Sequence, residues 1–166
     1  MLVETRGDIT HITKTVSGNS YTLTLDTRSW QRFKNTAIYI SVQRTRPYAM
    51  LYIEGKLQYL HRVLLNQFSE LHVDHYNRNT LDCRVDNLRV CTQAENNQNS
   101  SLRKDNISGV RGVCWDTGTG MWLAQAQVNK QKHFLGRHTT LDAAELAVIA
   151  FRKAYMPFSN ETEVAK

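Results

Sequence analysis

The sequence predicts an α+β protein assembled from small antiparallel β units that are closed by helices. Three observations carry that expectation. Short runs of Thr, Val, Ile, Leu and Tyr alternate with polar residues and are separated by Gly- and Asn-containing turns. Helical periodicity stays in short stretches until residues 141–155, the one long amphipathic segment. A polar, aperiodic stretch at 100–108 (SSLRKDNIS) reads as a linker between a first β-rich half and a second.

The elements follow in order. Residues 9–15 (ITHITKT) and 20–25 (SYTLTL) alternate and flank Val16-Ser17-Gly18-Asn19, a hairpin turn. Residues 27–34 predict a short helix with Trp30 and Phe33 on one face. Strands follow at 37–43 and 48–54, with Pro47 near the turn, where it removes no central ladder bond. Glu54-Gly55-Lys56 turns the chain into a helix over 60–68, which sets off residues 1–59 as a β-rich unit. Within 60–99, the pieces HVDH and LRVC enclose a long polar loop and lead to a helix. Thr92 is its N-cap and Glu95, three residues on, completes a capping box.

Beyond the linker, strands at 109–115, 122–128 and 132–136 precede a helix from Leu141 to Tyr155, with Thr139 and Asp142 as its cap and Pro157 as its stop. This is a three-stranded antiparallel sheet packed on one helix over 109–158, with 159–166 as a tail. Trp122, Ala124, Ala126 and Val128 share one face of the middle strand and meet an alanine-rich helix, so close approach is expected there. Gln125 and Gln127 then face outward.

Composition narrows the function. The 166 residues are 41% hydrophobic and 22% charged, enough for one ordinary domain or a few small modules. No apolar run approaches the roughly 18 residues of a membrane span. The N-terminus lacks a signal-peptide pattern, and Cys83, Cys91 and Cys114 form no C-x-x-C pair. A soluble cytoplasmic protein is expected, with no membrane partner, no disulfide framework and no cysteine zinc site. The net charge of +6 suits a polyanionic partner. Residues 63–99 nevertheless carry five acidic and three basic groups, between two basic segments. A metal site flanked by phosphate-gripping surfaces would produce that pattern.

The residues that carry chemistry lie in that acidic stretch. Asp74 and His75 end the first short strand, Asn87 precedes the second, and Asn96 and Asn99 share a face of the following helix. One carboxylate with one amide carbonyl is an underfilled hard-oxygen site that suits Mg²⁺. His75 points to the other side of the strand from Asp74, which suits a base more than a co-ligand, and its ordinary pKa lets it take a proton from water at neutral pH. Asn87 can hold the imidazole by its side-chain amide.

Residues 60–99, through VDHYNRNTLDCRVDNLRVCTQAENNQN, closely resemble the HNH endonucleases of phages and their introns. The resemblance implies a ββα-metal nuclease core that hydrolyses DNA phosphodiesters with a divalent metal, Mg²⁺ or Mn²⁺, and no small-molecule cofactor. It implies metal ligation by Asp74 and Asn96, His75 as general base, and Asn87 as the residue that orients it. The final motif position is Asn rather than His, as in the homing branch. The helix before the motif matches too, giving Arg62 as a phosphate contact and His61 as an accessory candidate together with Asn99.

Residues 108–155 resemble the APETALA2/ethylene-response-factor type of DNA-binding domain through Gly112-Val113, Trp122, Ala124, Leu135-Gly136, Thr140, Ala144 and Ala147. That resemblance implies a sheet lying in the major groove of double-stranded DNA. Arg111, Gln125 and Gln127 are its candidate base readers and Lys132 a phosphate contact.

The leading expectation is a site-specific endonuclease, a monomer that nicks one strand. The alternative is a non-catalytic, sequence-specific DNA-binding protein on the same scaffold. A third reading, an RNA-binding protein, rests on Tyr39, Tyr48, Tyr52 and Tyr59.

Overall fold

The computed structural model describes residues 1–44 and 46–160, and the class is α+β, with four small antiparallel sheets and few helices. Two compact units divide the chain between Cys91 and Thr92.

The first unit opens with β1 (Leu2–Arg6), β2 (Ile9–Val16) and β3 (Asn19–Asp26), which form a meander. β1 adds an edge strand that the sequence did not announce: its residues are almost all exposed and carry no inward alternation. The β2–β3 turn falls at Ser17-Gly18, both at positive φ (49° and 80°), the backbone that a tight hairpin requires. After α1 (Thr27–Phe33), β4 (Ile38–Gln43), β5 (Arg46–Ile53) and β6 (Lys56–Tyr59) form a second meander.

β6 replaces what the sequence predicted as a turn straight into a helix, and α2 is only Leu60–Leu64 rather than 60–68. The helix stops because Asn66 adopts a left-handed φ of 50°. Arg62 then satisfies the carbonyls of Gln67, Ser69 and Leu71. β7 (His72–His75) and β8 (Leu88–Cys91) pair antiparallel and complete the unit.

One core joins these pieces. Ile12, Leu23 and Leu25 of the first meander pack with Ile38, Ile40, Ala49 and Leu51 of the second, with Leu60 and Val63 of α2, and with Leu81 and Cys83 from the β7–β8 loop. The N-terminal sheets therefore carry the loop that follows Asp74 and His75. Backbone bonds reinforce this: Thr24 N–H donates to Leu81 O (2.8 Å) and Cys83 N–H donates to Thr24 O (2.9 Å).

The second unit begins with α3 (Gln93–Gln98). Thr92 caps it, Thr92 and Glu95 exchanging both bonds of the expected capping box. β9 (Val113–Asp116), β10 (Met121–Val128) and β11 (Gln131–His138) make an antiparallel sheet in the order β11-β10-β9. α4 (Leu141–Tyr155) packs on it. β9 is shorter than the predicted 109–115. Gly112 sits at φ 85°, and a Cβ there would lie 2.4 Å from Gln125 O, so the chain bends at this point instead of extending. The α4 cap is Thr140, whose hydroxyl accepts from Ala143 N–H, one residue beyond the predicted Thr139.

Val113, Ala124, Ala144 and Val148 are the centre of this unit's core, with Trp122 and Ala147 packed around them. Small side chains on both partners give the close helix–sheet contact that the alanine pattern predicts.

Candidate active site

The β7–β8 hairpin places the chemistry. Its register sets Asp74 opposite Arg89 and His75 opposite Leu88. Asp74 is buried, and the Arg89 guanidinium donates to its Oδ2 from Nε (3.0 Å) and Nη2 (2.8 Å). Arg89 also lies over the Tyr76 ring, with Cζ 5.1 Å from its centroid. A buried carboxylate is costly without such a counter-charge. Arg89 follows the Asp-Asn-Leu triplet in the sequence, and its role becomes visible only once the two strands are placed in register.

His75 is buried, with 5% of its surface exposed. Burial lowers its pKa to about 4, against the Asp74 and Asp82 carboxylates, which pull it up. Its Nε2 lies 3.8 Å from Cys83 Sγ. Burial pushes the Cys83 thiol well up, so that neighbour stays protonated and uncharged. The imidazole is accordingly neutral at neutral pH but a weaker base than the ordinary pKa expected from the sequence, because burial disfavours its protonated form.

Asn87 is also buried, but its amide does not bond the imidazole. Nδ2 donates to Asp82 O (2.7 Å) and Asn77 Oδ1 (3.0 Å), and Oδ1 accepts from Asn77 N–H (3.0 Å). Asn87 also accepts from Tyr76 N–H through its backbone carbonyl. Asn87 ties the loop that follows His75 together and makes no direct bond to the imidazole, a correction to the expected geometry.

The same loop contains a cluster that was not legible as functional. The Asp82 carboxylate takes two bonds from Arg84 (2.8 and 2.7 Å) and one from Asn77 (2.7 Å). Burial alone would raise its pKa; Arg84's hydrogen bonds and charge, helped by Asn77, outweigh that and hold it below the usual range. The run of Asn and Asp over 77–82 was the signal available, since such side chains bond backbone groups two residues on.

His61 stands beside His75, with ring centroids 4.9 Å apart, and stacks on Tyr59 at 5.3 Å. It is 6% exposed, and its Nδ1 has no hydrogen-bond partner among the described residues. Burial, then the charges of His75 and Arg62, lower its pKa to about 3. Arg62 is committed to the carbonyls after α2, so a phosphate would have to compete with them.

Asn96 and Asn99 belong to the second unit: Asn96 is half-buried within α3, and Asn99 is the buried residue at its C-terminal end. In that unit Gln125, Gln127 and Lys132 are exposed on the sheet face turned away from α4, where Gln127 pairs with Lys132 across the strands. Arg111 lies ahead of β9 rather than on the sheet. Its guanidinium donates to Gln98 O (2.6 Å), Ser100 O (2.9 Å) and the Ser159 hydroxyl. Phe134, exposed on the same face as the glutamines and opposite Gln125, was missed.

Among the described residues no group of three or more His, Cys, Asp or Glu could hold an ion by itself. One buried carboxylate fits a hard cation that keeps water and takes phosphate oxygens, and does not fit a closed zinc cage.

Comparison with known proteins decides the nature of this segment. The HNH endonuclease family model matches residues 58–98. Residues 58–98 are an HNH endonuclease-like domain. Protein 3.8 of Escherichia phage T7 is 32% identical over 62 residues, which cover 37% of this chain. The chain spans about half (51%) of that relative's length. No solved structure matches. The HNH segment thus contains α2, the β7–β8 hairpin, the Asn77–Asp82–Asn87 staple and α3. No helix among the described residues is long and apolar enough to cross a membrane.

Proposed function

We propose that the protein is a metal-dependent DNA endonuclease of the homing or free-standing mobile type, cutting one strand per engagement as a monomer. The observation that supports this most is the coincidence of the HNH match with a hairpin that sets a neutral, buried His75 next to the buried Asp74 carboxylate.

His75 acts as general base. It takes a proton from a water molecule as that water's oxygen bonds to phosphorus, and the electron pair of the P–O3′ bond leaves with the 3′ oxygen. Asp74 would hold Mg²⁺ or Mn²⁺ through its carboxylate. When bound, the ion supplies positive charge for the oxygens on phosphorus and for the leaving oxygen. Arg89 supplies the counter-charge to the Asp74 carboxylate, and Asn87, through the loop, keeps His75 in place.

The second unit is the reader, in the manner of the APETALA2-like domains it resembles. Gln125 and Gln127 suit bidentate pairing with adenine in the major groove, and Lys132 suits a phosphate. Arg103, Lys130 and Lys132 line a cleft of about 580 Å³ beside that face, a further place for backbone phosphates. Arg111 is left to brace α3 and the chain that follows it.

Incubating supercoiled plasmid and host-derived DNA with Mg²⁺, Mn²⁺ or EDTA tests the proposal. Relaxed circles that require the metal and are lost with His75→Ala support it. Folded protein that binds these DNAs but leaves them intact in both metals refutes it in favour of a non-catalytic binding protein.

A further inference from the structure

The sheet β4–β6 buries one face in the core, and four tyrosines, Tyr39, Tyr48, Tyr52 and Tyr59, lie on the other face around a buried Met50. Register puts Tyr39, Met50 and Tyr59 side by side, Ser41 beside Tyr48, and Tyr52 beside Leu57. Tyr39 and Tyr52 contact edge to face (5.9 Å, 83°) and are 47% and 54% exposed. Tyr48 and Tyr59 contact at 5.6 Å, Tyr59 stacks on His61, and His61 meets His75. An unbroken series of ring contacts therefore runs from Tyr48 to the proposed base, with the exposed pair on the same sheet face.

A core does not require this arrangement. Two half-exposed tyrosines bury little area, and exposed sheet faces in monomers are ordinarily polar. Charge points to the occupant. β4, β5 and β6 contain no acidic residue, and the nearest acid in sequence, Glu54, sits in the β5–β6 turn. Arg46 lies exposed on the tyrosine face, and Lys14 Nζ, which donates to Ile38 O, sits 6.0 Å from the Tyr39 centroid. The one amide on this face, Gln43, donates to the Tyr59 hydroxyl (2.6 Å). Half-exposed rings bordered by cations are what an unpaired strand requires: bases stack on the rings and phosphates meet the charges. Duplex DNA, whose base faces are hidden in the stack, gains nothing from tyrosine faces.

We propose that the tyrosine face of β4–β6 is a stacking platform for an unpaired DNA segment adjoining the phosphate to be cut, so that the preferred substrate is flapped, gapped or locally melted rather than continuous duplex. This rests on the DNA-cleaving reading above, and the test separates the two.

Fluorescence anisotropy of the full-length protein in EDTA, where a metal-dependent nuclease cannot cut, measures binding to a duplex and to the same duplex with an eight-nucleotide single-stranded DNA flap. The flapped DNA should bind roughly tenfold to a hundredfold tighter, the range expected for loss or gain of one stacked base. Tyr39→Ala/Tyr52→Ala should bring it down to the duplex value, and Tyr39→Phe/Tyr52→Phe should keep the preference. Tyr39 and Tyr52 are half-exposed, and an unchanged melting temperature shows that both variants fold. Equal affinity for flap and duplex, an unaffected alanine variant, or tighter binding to an RNA flap of the same sequence overturns the proposal. Plasmid cleavage is scored separately. Flap preference without cleavage would leave the platform standing and remove the nuclease, and cleavage without flap preference would do the reverse.

Discussion

Replacing Asn87 with alanine tests how the HNH loop holds His75, the proposed base. The amide makes three hydrogen bonds, to Asp82 O and to the backbone N–H and side-chain oxygen of Asn77, at 2.7–3.0 Å, and the residue is 6% exposed. Each bond is worth about 1 kcal/mol net, so the substitution should cost about 3 kcal/mol, and more if buried partners stay unsatisfied. For a unit of about 90 residues that corresponds to a fall on the order of 10–20 °C in the melting temperature of that unit. Asn87→Asp should be no better, because it keeps the acceptor for Asn77 N–H but turns a carboxylate oxygen toward two other oxygens. Urea denaturation and plasmid nicking, measured on the same preparations, should fall together. An Asn87→Ala protein with the wild-type urea midpoint but no nicking would refute the reasoning, since Asn87 would then act on the chemistry without acting through the loop.

The remaining predictions concern both units. His61 and His75 are held neutral, with pKa values of about 3 and about 4 against an ordinary 6.5. Between those values the unfolded chain binds protons that the folded one does not, so stability is full above pH 6.5 and declines as pH falls toward 4. The urea midpoint of the first unit should be lower at pH 5 than at pH 7, by on the order of 2 kcal/mol per histidine and about 4 kcal/mol for the pair in unfolding free energy, and an unchanged midpoint would contradict the burial argument. Gly112→Ala should destabilise the second unit by about 2 kcal/mol or more, because of its positive φ and the 2.4 Å approach to Gln125 O; calorimetry checks this. Gln125→Ala and Gln127→Ala should each weaken binding to the target by about 1–3 kcal/mol and leave the melting temperature unchanged, which anisotropy on mapped target DNA and thermal denaturation would test together.

Much of this was legible because local rules agreed with the fold. The β2–β3 hairpin, the capping box at Thr92 and Glu95, and the Trp/Ala face against α4 each follow from period, turn residue or side-chain size. What escaped depended on distant contacts. β1 and β6 are largely exposed strands whose residues show no inward alternation; they exist because an adjacent strand offers a free edge. α2 ends early at the left-handed Asn66, and Arg62 bonds three carbonyls beyond it that the sequence does not reveal.

At the site, Asp74, His75 and Asn87 were visible as residue types at a telling spacing. Their partners were not. Arg89 pairs with Asp74 through strand register, and Asn87 reaches Asn77 and Asp82 only when ten residues of loop close on themselves. The role of the N-terminal sheets emerged the same way, from Leu81 and Cys83 entering their core.

The central claim is that His75 drives metal-dependent hydrolysis with loss of the 3′ oxygen. The most direct measurement nicks supercoiled target plasmid in Mg²⁺, removes the protein, and asks whether DNA ligase alone reseals the product, with His75→Ala in parallel. Water attack with a 3′ oxygen leaving group predicts 3′-hydroxyl and 5′-phosphate ends, so the wild-type nick should close without any end repair and the variant should give no nick. Nicks that ligase cannot seal, that form equally in EDTA, or that persist in a folded His75→Ala protein would contradict the assignment.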